Sequence, residues 1–173
     1  MRVLAVTSVL VVLLATATLN AVAERGPSTP EERARAVKVA RQLETDPLAE
    51  SANSDRAWVL QWIDDIPDIT VDLCSEMTGA LAQPDKSYAR ELFAQDAISM
   101  AAFIIEHPDK VGNEVAIQRA GLEGMLKAYQ AILKSHPAAR REALDELIQK
   151  RNQGELSTWV GQMVSKCFPT NQT

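Results

Sequence analysis

Apolar residues recur along this chain at intervals of three and four, and no run shows sustained alternation, so the pattern predicts helices and no strands. The densest stretch runs from Ser87 to His107, SYARELFAQDAISMAAFIIEH, and from Ala97 to Ile105 every position but Ser99 is apolar. A helix that is hydrophobic on nearly all sides must be covered on nearly all sides. This segment is therefore the expected centre of a bundle, begun by Ser87 and stopped at His107-Pro108.

The other elements follow from the same periodicity and its punctuation. Thr29-Pro30-Glu31-Glu32 reads as a helix start, with Thr at the cap, Pro in the first turn and Glu three residues on. That helix runs to about Glu44, with Ala36, Val37, Ala40 and Leu43 on one face. A second, capped by Asn53 or Ser54, carries Trp58, Val59, Leu60, Trp62 and Ile63 until Pro67 breaks it. A third spans Thr70 to about Leu81, with Val71, Cys74, Thr78 and Leu81 at helical spacing. After the central segment comes the longest one, Glu114 to Ser135. Its apolar stripe is Val115, Leu122, Met125, Leu126, Tyr129, Ile132 and Leu133, and Ala120, Gly121, Gly124 and Ala128 make a small-residue side that another helix can approach closely. Ala138 to Asn152 and Glu155 to Cys167 complete the set. The expectation is an all-α, single-domain bundle of about seven helices over residues 29–167, with a loose polar leader at 24–28 and a flexible tail at 168–173.

The N-terminus changes the picture. Arg2 followed by an apolar run from Val3 to Leu14, interrupted by Thr7 and Ser8, and then Ala21-Val22-Ala23, matches a secretory signal over residues 1–23, with cleavage between Ala23 and Glu24. An uncleaved anchor is the competing reading, since the run approaches bilayer-spanning length. The remaining part, about 150 residues, is long enough for one sizeable core. It has no further membrane segment in sequence. The whole chain carries 18 Lys and Arg against 23 Asp and Glu, a net charge of −5. Loss of Arg2 makes the balance slightly more acidic, which argues against nucleic acid as the principal partner. In an exported, oxidising setting Cys74 and Cys167 have one intramolecular pairing open to them, with buried free thiols as the alternative. Each lies on an apolar stripe, as a bridge into a shared interior requires.

Candidate chemistry is sparse. His107 and His136 each precede a proline at a helix end, where an imidazole can meet the last carbonyls, and neither has a nucleophile at motif spacing. Zinc-peptidase, redox-pair, haem and phosphate-loop motifs are missing, so no catalytic residue, metal or cofactor is expected. Asp64, Asp65, Asp68 and Asp72 lack the glycine and closing glutamate of a calcium loop and contain Pro67. They are expected to serve helix ends. Asp96 falls near the apolar side of the central helix, where a carboxylate is either paired with Arg or Lys or has a raised pKa; the pair is the favoured expectation. Trp58 and Trp62, one helical turn apart, either belong to the core or line a groove.

The runs DPLAESANSDRAWVLQWIDDIPDITVDLC (Asp46 to Cys74), MAAFIIEHPDK (Met100 to Lys110) and GLEGMLKAYQAILK (Gly121 to Lys134) resemble a group of exported, all-helical bacterial proteins of unknown function. The resemblance implies a shared helical domain and carries no catalytic residue across. The reading expected from all this is an exported, non-enzymatic domain, periplasmic or extracellular, that acts on a protein or cell-envelope component. The alternative is a small-molecule-binding protein or enzyme, with a pocket between helices near Trp58, Trp62, Phe103 and Tyr129.

Overall fold

Thr29 opens the first helix as its side chain requires. Its hydroxyl accepts from the Glu32 N–H at 3.2 Å, while the Glu32 carboxylate accepts from the Thr29 N–H at 2.9 Å, so two of the donors orphaned at a helix start are satisfied together. This is α1, Pro30–Thr45, in a computed structural model that describes residues 25–77 and 86–169. The expected signal segment, with the cleavage point expected between Ala23 and Glu24, and the tail beyond Pro169 lie outside the described residues. The leader is fastened rather than loose at its end. The Ser28 N–H and hydroxyl both donate to the Asp68 carboxylate at 2.8 Å.

Helix α2, Ala52–Asp65, starts one or two residues before the expected cap, and Ser54 instead donates its hydroxyl to the Ser51 carbonyl. Ile66 leaves it in extended conformation, at φ −93° and ψ 141°. The expected helix from Thr70 is corrected here: residues 67–74 are irregular, and α3 begins at Ser75, with 75–77 described. Ile69, Thr70 and Val71 are successive β-branched residues, weak helix formers. The Asp72 carbonyl, which a helix would use itself, accepts from the Gln118 side chain.

Helix α4, Ala89–Glu106, is preceded by Tyr88 at φ 61° rather than capped by Ser87. A positive φ costs a tyrosine strain. The Arg141 guanidinium donating to the Ser87 carbonyl at 2.6 Å, and the His136 ring meeting Tyr88 edge-on at 5.4 Å, hold it there. A 3₁₀ turn, Pro108–Lys110, leads to α5, Glu114–Ser135, which Asn113 caps by accepting from the Ala116 N–H. A second 3₁₀ turn, Pro137–Ala139, takes up the start expected for the next helix, and α6 runs Glu142–Asn152, followed by α7, Leu156–Cys167. The His107 and His136 backbone N–H groups close α4 and α5 on Phe103 and Ile132. No strand occurs among the described residues.

The central expectation stands. Ile98, Met100 and Ala101 are sealed from solvent, and α4 packs against α1, α2 and α5, most extensively against α5. One cluster joins α1, α2 and α4 through Leu43, Val59, Trp62 and Ile98. The other joins α5, α6 and α7 through Leu122, Leu126, Leu144 and Val160. Each such side chain contributes roughly 1.5–3 kcal/mol on burial. Cys74 and Cys167 are bonded to each other at the edge of the second cluster, with Cα atoms 5.5 Å apart. Phe168 packs against that cluster as well, so the tail is anchored at its first residue. No helix of the described residues is long and apolar enough to cross a membrane.

Candidate functional site

Polar side chains interrupt α4 at Gln95, Asp96 and Ser99, and all three are buried. The Gln95 amide donates to the Ala40 carbonyl of α1 at 3.2 Å and to the Ser99 hydroxyl at 2.9 Å. Ser99 donates at 3.5 Å to Glu44, whose carboxylate, 5% exposed, accepts from Lys127 at 2.8 Å and from Arg41. Arg41 bridges onward to Glu106. Burial opposes its charge, but the Glu106 and Glu44 carboxylates outweigh that and raise its pKa. This seam is possible because α5 presents glycines where it meets Asp96 and Ser99. A Cβ on Gly124 would lie 1.9 Å from the Ser99 Oγ, and one on Gly121 2.7 Å from the Asp96 Oδ1. The small-residue side read from the sequence is thus the seat of α4.

Asp96 corrects the expected ion pair. It is 3% exposed, its Oδ1 has no hydrogen-bond partner, and no Lys or Arg among the described residues bridges it. Burial alone pushes its carboxyl up to about 7, so the proton is retained near neutrality to avoid a buried charge. It borders none of the described clefts.

Of the four carboxylates at 64–72, Asp68 and Asp65 have separate partners. Asp68 binds Ser28 and the Arg33 guanidinium, the latter at 2.6 Å. Burial works against its charge, but those donors hold its carboxyl down at about 2. It therefore ties the chain back to the start of α1 rather than opening the next helix. Asp65 accepts from Gln61 at 2.8 Å and faces Arg25 at 3.6 Å. Among the described residues no group of three His, Cys, Asp or Glu side chains is placed to hold a metal.

The four candidate aromatics do not share one pocket, and only the two tryptophans meet. Trp58 and Trp62 stack at 5.9 Å within the α1–α2–α4 cluster, with the Arg35 guanidinium 3.7 Å over the Trp58 ring. Phe103 borders an outer cleft beside Arg41, Arg119 and Lys127. Tyr129 is enclosed in the other cluster, where its hydroxyl accepts from the Arg141 N–H at 2.7 Å and reaches Asp145 at 3.1 Å.

What periodicity does not reveal is a groove of about 370 Å³, lined by apolar side chains together with Gln61 and Asp64, between α2, the irregular segment after it, and α4. Leu60, Ile63 and Asp64 form one wall, Val71 and Leu73 the other, and Ala97 closes it. Leu60 and Leu73 are 38% and 37% exposed, two of the few large apolar side chains left open. The usable signal was Leu60, which falls off the face shared by Val59 and Trp62. No protein-family model matches this chain, and no curated protein or solved structure matches it either.

Proposed function

We propose that this chain is an exported, non-enzymatic helical domain that acts by surface contact with a protein or cell-envelope component, through the groove between α2 and residues 66–74. The observation that carries the reading is the contrast between the groove and the other candidate sites. Leu60 and Leu73 stay open to solvent at one lined depression. The buried carboxylates are enclosed within the fold, Glu44 by its two cations and Asp96 by the α4–α5 contact. A depression lined by Leu60, Ile63, Val71 and Leu73, with Gln61 and Asp64 as its polar groups, suits recognition better than bond-making. The bonded Cys74–Cys167 pair supports export, because such bridges persist in oxidising compartments.

The test is made in cells that produce the chain. Mass spectrometry of the chain outside the cytoplasm is expected to find Glu24 as its first residue and both cysteines oxidised. A photo-reactive residue in place of Leu73 is expected to give a discrete envelope adduct that Leu60→Glu abolishes. A chain retained in the cytoplasm with reduced cysteines, or adducts indifferent to Leu60→Glu, would overturn the reading.

A further inference from the structure

We propose that the groove receives an extended peptide segment of alternating apolar and basic residues, which pairs as a strand along residues 69–73. The inference rests on the surface-contact reading above and gives that surface a specific kind of partner.

The backbone supplies the first argument. Residues 67–74 carry neither helix nor strand pairing. Among the described residues, no acceptor receives an N–H from positions 69 to 73, and of their carbonyls only that of Asp72 is taken, by Gln118. Thr70, Asp72 and Leu73 are exposed, so the segment meets water along one side. A backbone row left without partners is a template for another chain.

Side chains supply the second. Ile69 is buried, Val71 half-buried and Leu73 exposed, with Val71 and Leu73 both in the groove wall. Alternate residues of a paired strand would meet this graded apolar wall while the others turned outward. On α4, Phe93 stands one turn before Ala97 and is 38% exposed, extending the apolar surface along the same face.

Charge supplies the third and selects the partner. No cation lines the groove, whereas Asp64 does, and Asp64 and Asp72 have no ion-pair partner among the described residues. Asp72 also acts on Glu114: burial first, and then the Asp72 charge, raises the Glu114 pKa. A Lys or Arg on the incoming strand would relieve this accumulation. A second copy of this chain would instead set Asp64 and Asp72 against their own kind on a molecule of net charge −5, which disfavours self-pairing.

The probe is a short fluorescein-labelled peptide of alternating Leu and Lys, titrated with the purified exported chain and followed by anisotropy. Saturable binding is expected, weakened about tenfold or more by Leu73→Ser or Leu60→Ser, and measurably by Asp64→Asn. Both leucines are more than one-third exposed, so unchanged thermal melting will show that these variants remain folded. Methylating alternate peptide nitrogens, which removes the pairing donors, should abolish the signal. Equal binding of the methylated peptide or of a Leu/Glu peptide, or indifference to both serine variants, would overturn the proposal. So would a dimer of the protein alone that Leu73→Ser dissolves, since the occupant would then be a second copy. If peptide binding fails while the Leu73 adduct in cells persists, strand pairing falls and the surface-contact reading stands; loss of both ends both.

Discussion

Stability should fall as pH rises from 5 to 8, and Asp96 should be the reason. In the folded chain its carboxyl is 3% exposed and shifted from an ordinary 3.8 to about 7 by burial. A group whose folded pKa lies above its unfolded value contributes stability that is present in full below the unfolded pKa and is lost as pH rises through the folded one. The shift of about three pH units corresponds to roughly 4 kcal/mol in all, at about 1.4 kcal/mol per unit. The loss begins near pH 4 and is nearly complete by pH 8, and more than half of it falls between pH 5 and 8. For a domain of this size that lowers the melting temperature by roughly 5–10 °C. Urea denaturation followed by far-UV circular dichroism at intervals of pH, with the disulfide intact, measures it directly. Asp96→Asn keeps the shape, cannot ionise and retains His107 and His136, so its curve should lose this slope and lie above the wild type at pH 8. A wild-type curve flat from pH 5 to 8, or an equal slope in Asp96→Asn, would refute the reasoning.

Three further outcomes are expected. Gly124→Ala should destabilise by about 1–3 kcal/mol or more, because its Cβ would lie 1.9 Å from the Ser99 Oγ, whereas Gly161→Ala, with nothing within 4 Å, should stabilise α7 by roughly 0.5–1 kcal/mol; paired denaturation curves compare them. Reducing the Cys74–Cys167 bridge, which spans a sequence separation of 93, should cost about 4–5 kcal/mol in the chain-entropy account, read from urea midpoints with and without reductant. Replacing both Arg41 and Lys127 by Ala leaves the Glu44 carboxylate buried without a cation and should cost about 3–5 kcal/mol, with Glu44→Gln in the same background recovering part of it.

How far the fold could be read in advance varies along the chain. The bounds of α5 follow from its stripe and its flanking turns, and the small residues at 121 and 124 marked where a neighbour would come close. The cysteine pairing was legible from the even count, although Cys74 lies in the irregular segment before α3 and not on a helical stripe. The start of α3 was not, because a side chain from Gln118 takes the carbonyl at Asp72, and no local pattern foretells a donor from so distant a position. Ser87 looked like a cap, but Arg141 holds its carbonyl and Tyr88 enters the left-handed region instead.

The candidate sites divide along the same line. Sequence alone determined that the chain is helical, that its middle segment must be enclosed, and that Asp96 lies near an apolar face. Only the tertiary structure decided that Asp96 has no cation beside it, that Trp58, Phe103 and Tyr129 go to separate parts of the molecule, and that Leu60 and Leu73 meet across an open groove. The physical reason is that periodicity specifies which side of a helix avoids water, a property of residues near one another in sequence. What covers that side, what charge faces it and what is left open depend on how separate segments are placed in space.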